Sequence, residues 1–167
     1  ESKLLLKYLP GKSVPYVVDF LTKNDIFLII KSPRKTKKAD FIVKNRHHVQ
    51  ITINSDLNQY AFLITLIHEF SHYLVWKKKK NLKNPHGKIW RKMFKQLLKE
   101  YLSYNVFPQD ITNELKISVI DRNDFAGNYK KRIDAVLEKY DLFQSKKVKD
   151  LNISERFELF SGRQFMI

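Results

Sequence analysis

Residues 61–75 read AFLITLIHEFSHYLV. Apolar side chains run nearly all the way round this stretch, which predicts a helix buried at the centre of the fold. Ser55 or Asp56 is the expected cap, and the helix is expected to run to about Trp76. Embedded in it is His68-Glu69-Phe70-Ser71-His72, an HExxH. Residues four apart on a helix share one face. Both imidazoles can therefore reach one metal ion at about 2.0–2.1 Å. Glu69 can lie beside that ion without binding it. There it can take a proton from an activated water and pass it to a leaving amine. The bland alternative is a helix with two hydrogen-bonded histidines. His, Glu and His are costly on so apolar a helix, which favours the metal reading.

A hydrolytic zinc site needs a third protein ligand and an open position. The spacing HExxHxxGxxH fails here, because Val75 and Lys78 occupy the later positions. A Glu from a following helix would be Glu100. His86 is the better candidate. Asn84-Pro85-His86 is expected to start the next helix, and His86 is in register with Trp90 and Phe94 on its inward face. His47 and His48 read as exposed turn residues rather than ligands.

Working outward, residues 13–24 read as a helix with Ser13 as cap and Pro15 in the first turn. Residues 25–31 (DIFLIIK) and 41–44 read as strands. In residues 49–54, Val49, Ile51 and Ile53 alternate with Gln50, Thr52 and Asn54, the pattern of a half-buried strand. This strand is placed either to bind an extended substrate along its edge or to serve the sheet alone. Beyond the metal motif, a helix is expected from residue 84 to about 101, with Trp90, Phe94, Leu97 and Tyr101 inward. Two more are expected at 108–115 and 129–140. Residues 157–165 (FELFSGRQF) read as strand, turn and strand. The expected architecture is α+β, a small sheet packed on the HExxH helix and the helix after it. The expected division is a domain over 1–142 and a tail over 143–167 that begins a small β-hairpin module.

The chain has 167 residues, 43% hydrophobic and 29% charged, which places it among ordinary globular domains rather than disordered chains. Cys 0 excludes disulfides, thiolate zinc ribbons and cysteine nucleophiles. No stretch has the roughly 18 apolar residues of a membrane span. Residues 1–10 lack the long apolar core of a signal peptide. The chain opens on Glu1 rather than Met, so it is expected to be a trimmed or recombinant piece; a cytoplasmic monomer without a membrane partner is the expected setting. The formal net charge is +15, which points to a polyanionic partner. Lys77, Lys78, Lys79, Lys80 and Lys83 lie between the second and third candidate ligands. Lys88, Arg91, Lys92, Lys95 and Lys99 recur every three or four residues on the next helix. Arg34, Lys35, Lys37 and Lys38 form a second patch. Such stripes bind phosphates without reading sequence. Trp76 could stack on an unpaired base. A solvated, solubilising face is the plainer reading of the same residues. Trp90 and Phe94 read as core.

HEFSH, a basic spacer and then PHGKIW-x3-F resemble the SprT-like metalloproteases, the group that includes Spartan. The lead-in VQITINSDLNQYAFLITL is also similar to bacterial members. YLP-x3-VPYVV and FPQDI are similar to members from Bacteroidetes. The resemblance covers roughly residues 8 to 115. It implies a zincin-like minimal protease domain with His68, His72 and His86 as zinc ligands and Glu69 as general base. It also implies protein substrates crosslinked or bound to DNA, and contact with DNA (single-stranded or containing junctions) that ignores sequence. Some relatives carry a Cys-based zinc ribbon after the protease core, which a chain without cysteine cannot build. Two rivals stand beside this expectation. One is a nucleic-acid-associated binding protein whose zinc is structural or weakly active. The other is a zinc peptidase unrelated to DNA. No residue in the sequence is singled out as oxyanion donor or as the carboxylate that orients a ligand.

Overall fold

The structure is a computed structural model; it describes residues 2–45, 48–78, 84–121, 129–141, 156–158 and 164–166. Its helices are α1 (Ser2–Leu5), α2 (Val14–Lys23), α3 (Gln59–Lys78), α4 (Lys88–Ser103), α5 (Gln109–Leu115) and α6 (Tyr129–Leu137). Its strands are β1 (Ile26–Lys31), β2 (Ala39–Asn45), β3 (His48–Asn54), β4 (Arg156–Glu158) and β5 (Gln164–Met166). This is a mixed α and β fold, with one three-stranded sheet and one two-stranded pair among the described residues. No helix among the described residues is long and apolar enough to cross a membrane.

The sheet has the order β1-β3-β2. β1 runs parallel to β3, with Leu28 opposite Ile51, and β2 runs antiparallel to it, with Phe41 also opposite Ile51. The central position of β3 decides between its two expected roles: both of its edges are taken, so it serves the sheet and offers no free edge. Its burial differs from expectation too. Gln50, Thr52 and Asn54 are as buried as Val49, Ile51 and Ile53. Alternation predicts a wet face there, but Thr52 donates to Asp40 Oδ2 at 2.5 Å and Asn54 Nδ2 donates to the Lys37 carbonyl at 3.1 Å. β2 thus supplies the partner of Thr52 and the 32–38 loop that of Asn54.

α3 is the buried central helix its composition predicts, with Phe62, Leu63, Leu66, Ile67 and Phe70 fully enclosed. Its cap is neither Ser55 nor Asp56. Asn58 Oδ1 accepts from the backbone N–H of Tyr60 at 3.1 Å and of Ala61 at 2.9 Å, two donors the first turn leaves unpaired. Ser13 also differs from its expected role. Its hydroxyl donates back to the Pro10 carbonyl at 2.7 Å instead of capping α2. α4 packs along α3 and buries Trp90, Met93, Phe94, Leu97, Leu98 and Tyr101, one amphipathic face of a 3.6-residue period. It begins at Lys88, so Pro85 and His86 sit in the turn before the helix rather than in its first turn.

After α5 the chain continues in a π-helical segment, Lys116–Asp121, which the sequence does not announce. α6 then returns against α3 and α5, burying Ile133 and Leu137. β4 and β5 pair antiparallel with Phe157 opposite Phe165.

Candidate metal centre

His68 and His72 project from one face of α3, one turn apart, and His86 reaches them from the turn that precedes α4. The three Nε2 atoms lie 3.1 Å from one another in every pairing. Three corners of a tetrahedron with metal–nitrogen bonds of about 2.0–2.1 Å would be about 3.3 Å apart, so the donor set fits one metal ion. The local turn fixes the third imidazole. Asn84 Oδ1 accepts from the His86 N–H at 3.2 Å, and Arg91 Nε donates to the His86 carbonyl at 3.1 Å. A Cβ on Gly87 would come 3.2 Å from the Asn84 carbonyl oxygen, so the turn closes most easily around a glycine.

Trp90 is the floor of the cluster. Its ring centroid is 4.5 Å from His68, 5.4 Å from His72 and 4.7 Å from His86, and it stacks on Phe94 at 5.0 Å. This apolar bed sets the protonation state. Burial lowers the His68 pKa to about 3, with His72, His86 and Lys130 adding repulsion. Burial and the neighbouring His86 lower His72 to about 4. His86 is lowered as well, first by burial and then by Arg91. At neutral pH all three rings therefore carry lone pairs rather than an extra proton, as ligation requires. His68 and His72 are half-buried and His86 is exposed, so the cluster is reached from the His86 side.

Glu69 is 6% exposed and belongs to a cavity of about 270 Å³ that His68 also lines. Its pKa is raised to about 8, first by burial and then by the Asp40 charge, with Arg34 opposing. Both of those groups belong to a polar network behind it. Arg34 and Lys37 pair with Asp40, and Arg34 Nε donates to Asn54 Oδ1 at 2.8 Å. The sequence reading missed this network. The acid and its partners are dispersed over the 32–38 loop and two strands, and only the β2–β3 register brings them together.

The basic residues divide. Lys88, Arg91, Lys92, Lys95 and Lys99 do form one stripe, lining a shallow groove along α4. Arg34 and Lys37 pair with Asp40, with the Arg34 side chain 21% and the Lys37 side chain 51% exposed. Lys38 pairs with Asp134 at 3.3 Å, and Lys35 is exposed. Lys77 donates to Asn24 Oδ1 at 3.2 Å, and Lys78 is exposed at the end of α3. Lys79, Lys80 and Lys83 lie outside the described residues.

Trp76 is half-buried, with its ring 6.1 Å from Phe41 and 6.1 Å from Tyr73. His48 starts β3 and stacks on Phe27 at 4.8 Å, so it is a strand residue rather than a turn residue. His47 lies outside the described residues. Glu100 accepts from the Tyr104 hydroxyl at 2.7 Å and takes no part in the histidine cluster. The helix expected at 129–140 is present as α6, but its part in lining the cavity was not foreseen. Lys130, Ile133, Asp134 and Leu137 line the cavity beside Glu69, and nothing in their amphipathic spacing says which helix they face.

No curated protein and no solved structure matches the chain. The model of the SprT-like family matches residues 19–113, more than half of the sequence. That match contains β1 to β3, the HExxH helix, the His86 turn and all of α4. The chain belongs to the SprT-like family.

Proposed function

We propose that the chain is a zinc-dependent endopeptidase of zincin-like architecture acting on proteins bound or crosslinked to DNA. The observation that carries this reading is the convergence of three imidazoles, their Nε2 atoms 3.1 Å apart, beside a buried carboxyl group. Three nitrogen donors suit zinc, and a site with three protein ligands keeps a position open for chemistry. Among the described residues no fourth His, Cys, Asp or Glu joins the cluster, which speaks against a closed structural site. His68, His72 and His86 would hold the ion. When bound, zinc would supply Lewis acidity toward a scissile carbonyl and toward water.

Glu69 would do the proton work. As a carboxylate it accepts a proton from the attacking water. As a carboxylic acid it returns that proton to the amine nitrogen as the peptide bond breaks. Trp90 and Phe94 keep the rings oriented and exclude water from one side. The substrate would lie in extended form along β2 rather than β3. β2 is an edge strand of the sheet, and Ala39 at its start borders the same cavity as Glu69. Backbone pairing along an edge tolerates many sequences, which suits varied protein substrates. The α4 stripe and the +15 charge would hold the enzyme on DNA.

The test is metal content of the purified wild type and of His86→Ala, followed by cleavage of a DNA-binding protein with and without its DNA. About one zinc per chain, lost in the variant, and cleavage stimulated by DNA are the expected results. Zinc retained without any cleavage would favour a binding protein with a structural ion. Cleavage indifferent to DNA would keep the peptidase and remove the DNA.

A further inference from the structure

The cavity beside Glu69 is closed by an element that the family match does not include. The match ends at residue 113, and α6 begins at Tyr129. Ala61 and Ile64 of α3, Phe94 of α4, and Ile133 and Leu137 of α6 give the cavity an apolar interior. Its volume, about 270 Å³, falls just below the roughly 300–1,000 Å³ of pockets for drug-sized ligands, and suits a single large side chain. Two exposed lysines, Lys38 and Lys130, also line it. Asp134 pairs with Lys38 at 3.3 Å. Among the described residues no carboxylate is paired with Lys130.

We infer that this cavity receives the substrate side chain next to the scissile bond, selecting aliphatic and aromatic residues, and that Lys130 excludes lysine and arginine. The inference rests on the peptidase reading of the site. An extended peptide whose scissile carbonyl is within reach of Glu69 must send a flanking side chain nearby, because successive residues rise only about 3.3 Å. Glu69 lines the cavity, so the cavity is where that side chain can go. Filling it with a leucine or phenylalanine removes apolar surface from water on both partners. A lysine or arginine stem would fit equally well, but its charged head would emerge against Lys130. Selectivity here is therefore built from repulsion as well as from fit.

The experiment uses zinc-loaded wild type, Lys130→Glu and Ile133→Trp, with two readouts. The first is methyl NMR of Ile64, Ile133 and Leu137 during titration with N-acetyl-leucinamide, N-acetyl-alaninamide or N-acetyl-argininamide. The second is the residue found beside each bond cut in unfolded casein. In the wild type the leucine probe should shift those methyl signals, the alanine probe should shift them less, and the arginine probe should not. Cuts should favour Leu, Met or Phe over Lys or Arg at one fixed position by about tenfold. Lys130→Glu should admit the arginine probe and remove that bias. Ile133→Trp, which fills the cavity, should reduce the preference for Leu over Ala by about tenfold. If the tryptophan prevents folding, the exposed Lys130 variant still decides. Cleavage without side-chain preference and without methyl shifts overturns the inference and spares the peptidase. Methyl shifts with the expected selectivity but no cut in casein overturn the peptidase and leave a selective side-chain pocket.

Discussion

Glu69 shows how much one carboxyl group owes to its surroundings. Burial and, after it, the Asp40 charge raise its pKa to about 8, against the opposing Arg34. A divalent cation on the three adjacent imidazoles would act in the opposite sense and favour the carboxylate. The group is thus placed between two influences, which suits an acid and base that must exchange one proton in both directions. Glu69→Gln is expected to bind zinc as wild type does and to lose cleavage by about 10²- to 10⁴-fold. Metal analysis and a casein assay check this, and undiminished cleavage would remove Glu69 from its role. Asp40 carries a prediction of its own. Burial alone would raise its pKa, but hydrogen bonds from Lys37, Thr52 and Arg34 together outweigh it and hold the group at about 2, against an ordinary 3.8. A lowered folded pKa means stability that is complete above about pH 4 and lost as the pH falls toward 2. The shift corresponds to about 2 kcal/mol. Asp40→Asn should be less stable than wild type by about that amount in urea unfolding at pH 7, and the gap should narrow below pH 4. A gap that stays constant with pH would mean that the charge of Asp40 contributes nothing.

Elements meet the site through their ends. α3 carries two of the histidines, but its start is set by Asn58, whose side chain works in two directions. Its oxygen caps α3, while its amide donates to the Leu137 carbonyl at 3.0 Å and to Asp141 Oδ1 at 2.6 Å. One residue therefore ties the start of the metal-site helix to the end of α6. Asn58→Ala should cost about 1 kcal/mol through removal of the cap. It should also raise amide exchange at the end of α6. Asn58→Asp keeps the acceptor and removes both donors, so it should retain the α3 cap while still loosening α6. If both substitutions leave the exchange of α6 unchanged, the tie is not functional. α4 contributes in a different way. Its inner face supplies Trp90 and Phe94 beneath the imidazoles, and its outer face carries the basic stripe. A single helix thus joins the proposed cutting site to the proposed DNA-binding groove, and orients one relative to the other.

Over the whole molecule, charge is the dominant property. A chain of +15 attracts any polyanion, so affinity for DNA alone would say little about the α4 groove. Salt dependence is more discriminating. On a single strand, each phosphate that a lysine or arginine neutralises contributes about 0.7 to the slope of log affinity against log salt. Lys92→Glu with Lys95→Glu should therefore weaken binding to single-stranded DNA and flatten that slope by about 1.4. Lys35→Glu, in the loop whose Arg34 and Lys37 are tied to Asp40, should have a smaller effect. Equal effects at the two places would indicate diffuse attraction rather than a groove.

Residues 61–75 made the buried helix and its paired histidines readable directly, because a period of 3.6 residues is a local property of the backbone. The inward face of α4 was legible for the same reason, and strand composition indicated two short strands near residues 157 and 165, although not the register in which they pair. His86 could be singled out because it falls in register with Trp90 and Phe94, although it lies before the helix rather than in it. What the sequence could not determine was set by contacts between distant segments. Period-2 alternation fixes which side chains of β3 share a face, but not whether a strand is central, so the edge passed to β2. The pairing of β2 with β3 gathered Asp40, Thr52, Asn54 and Arg34 into one network. The return of α6 against α3 made the cavity beside Glu69. Neither follows from local periodicity, because each depends on which element the fold brings alongside another.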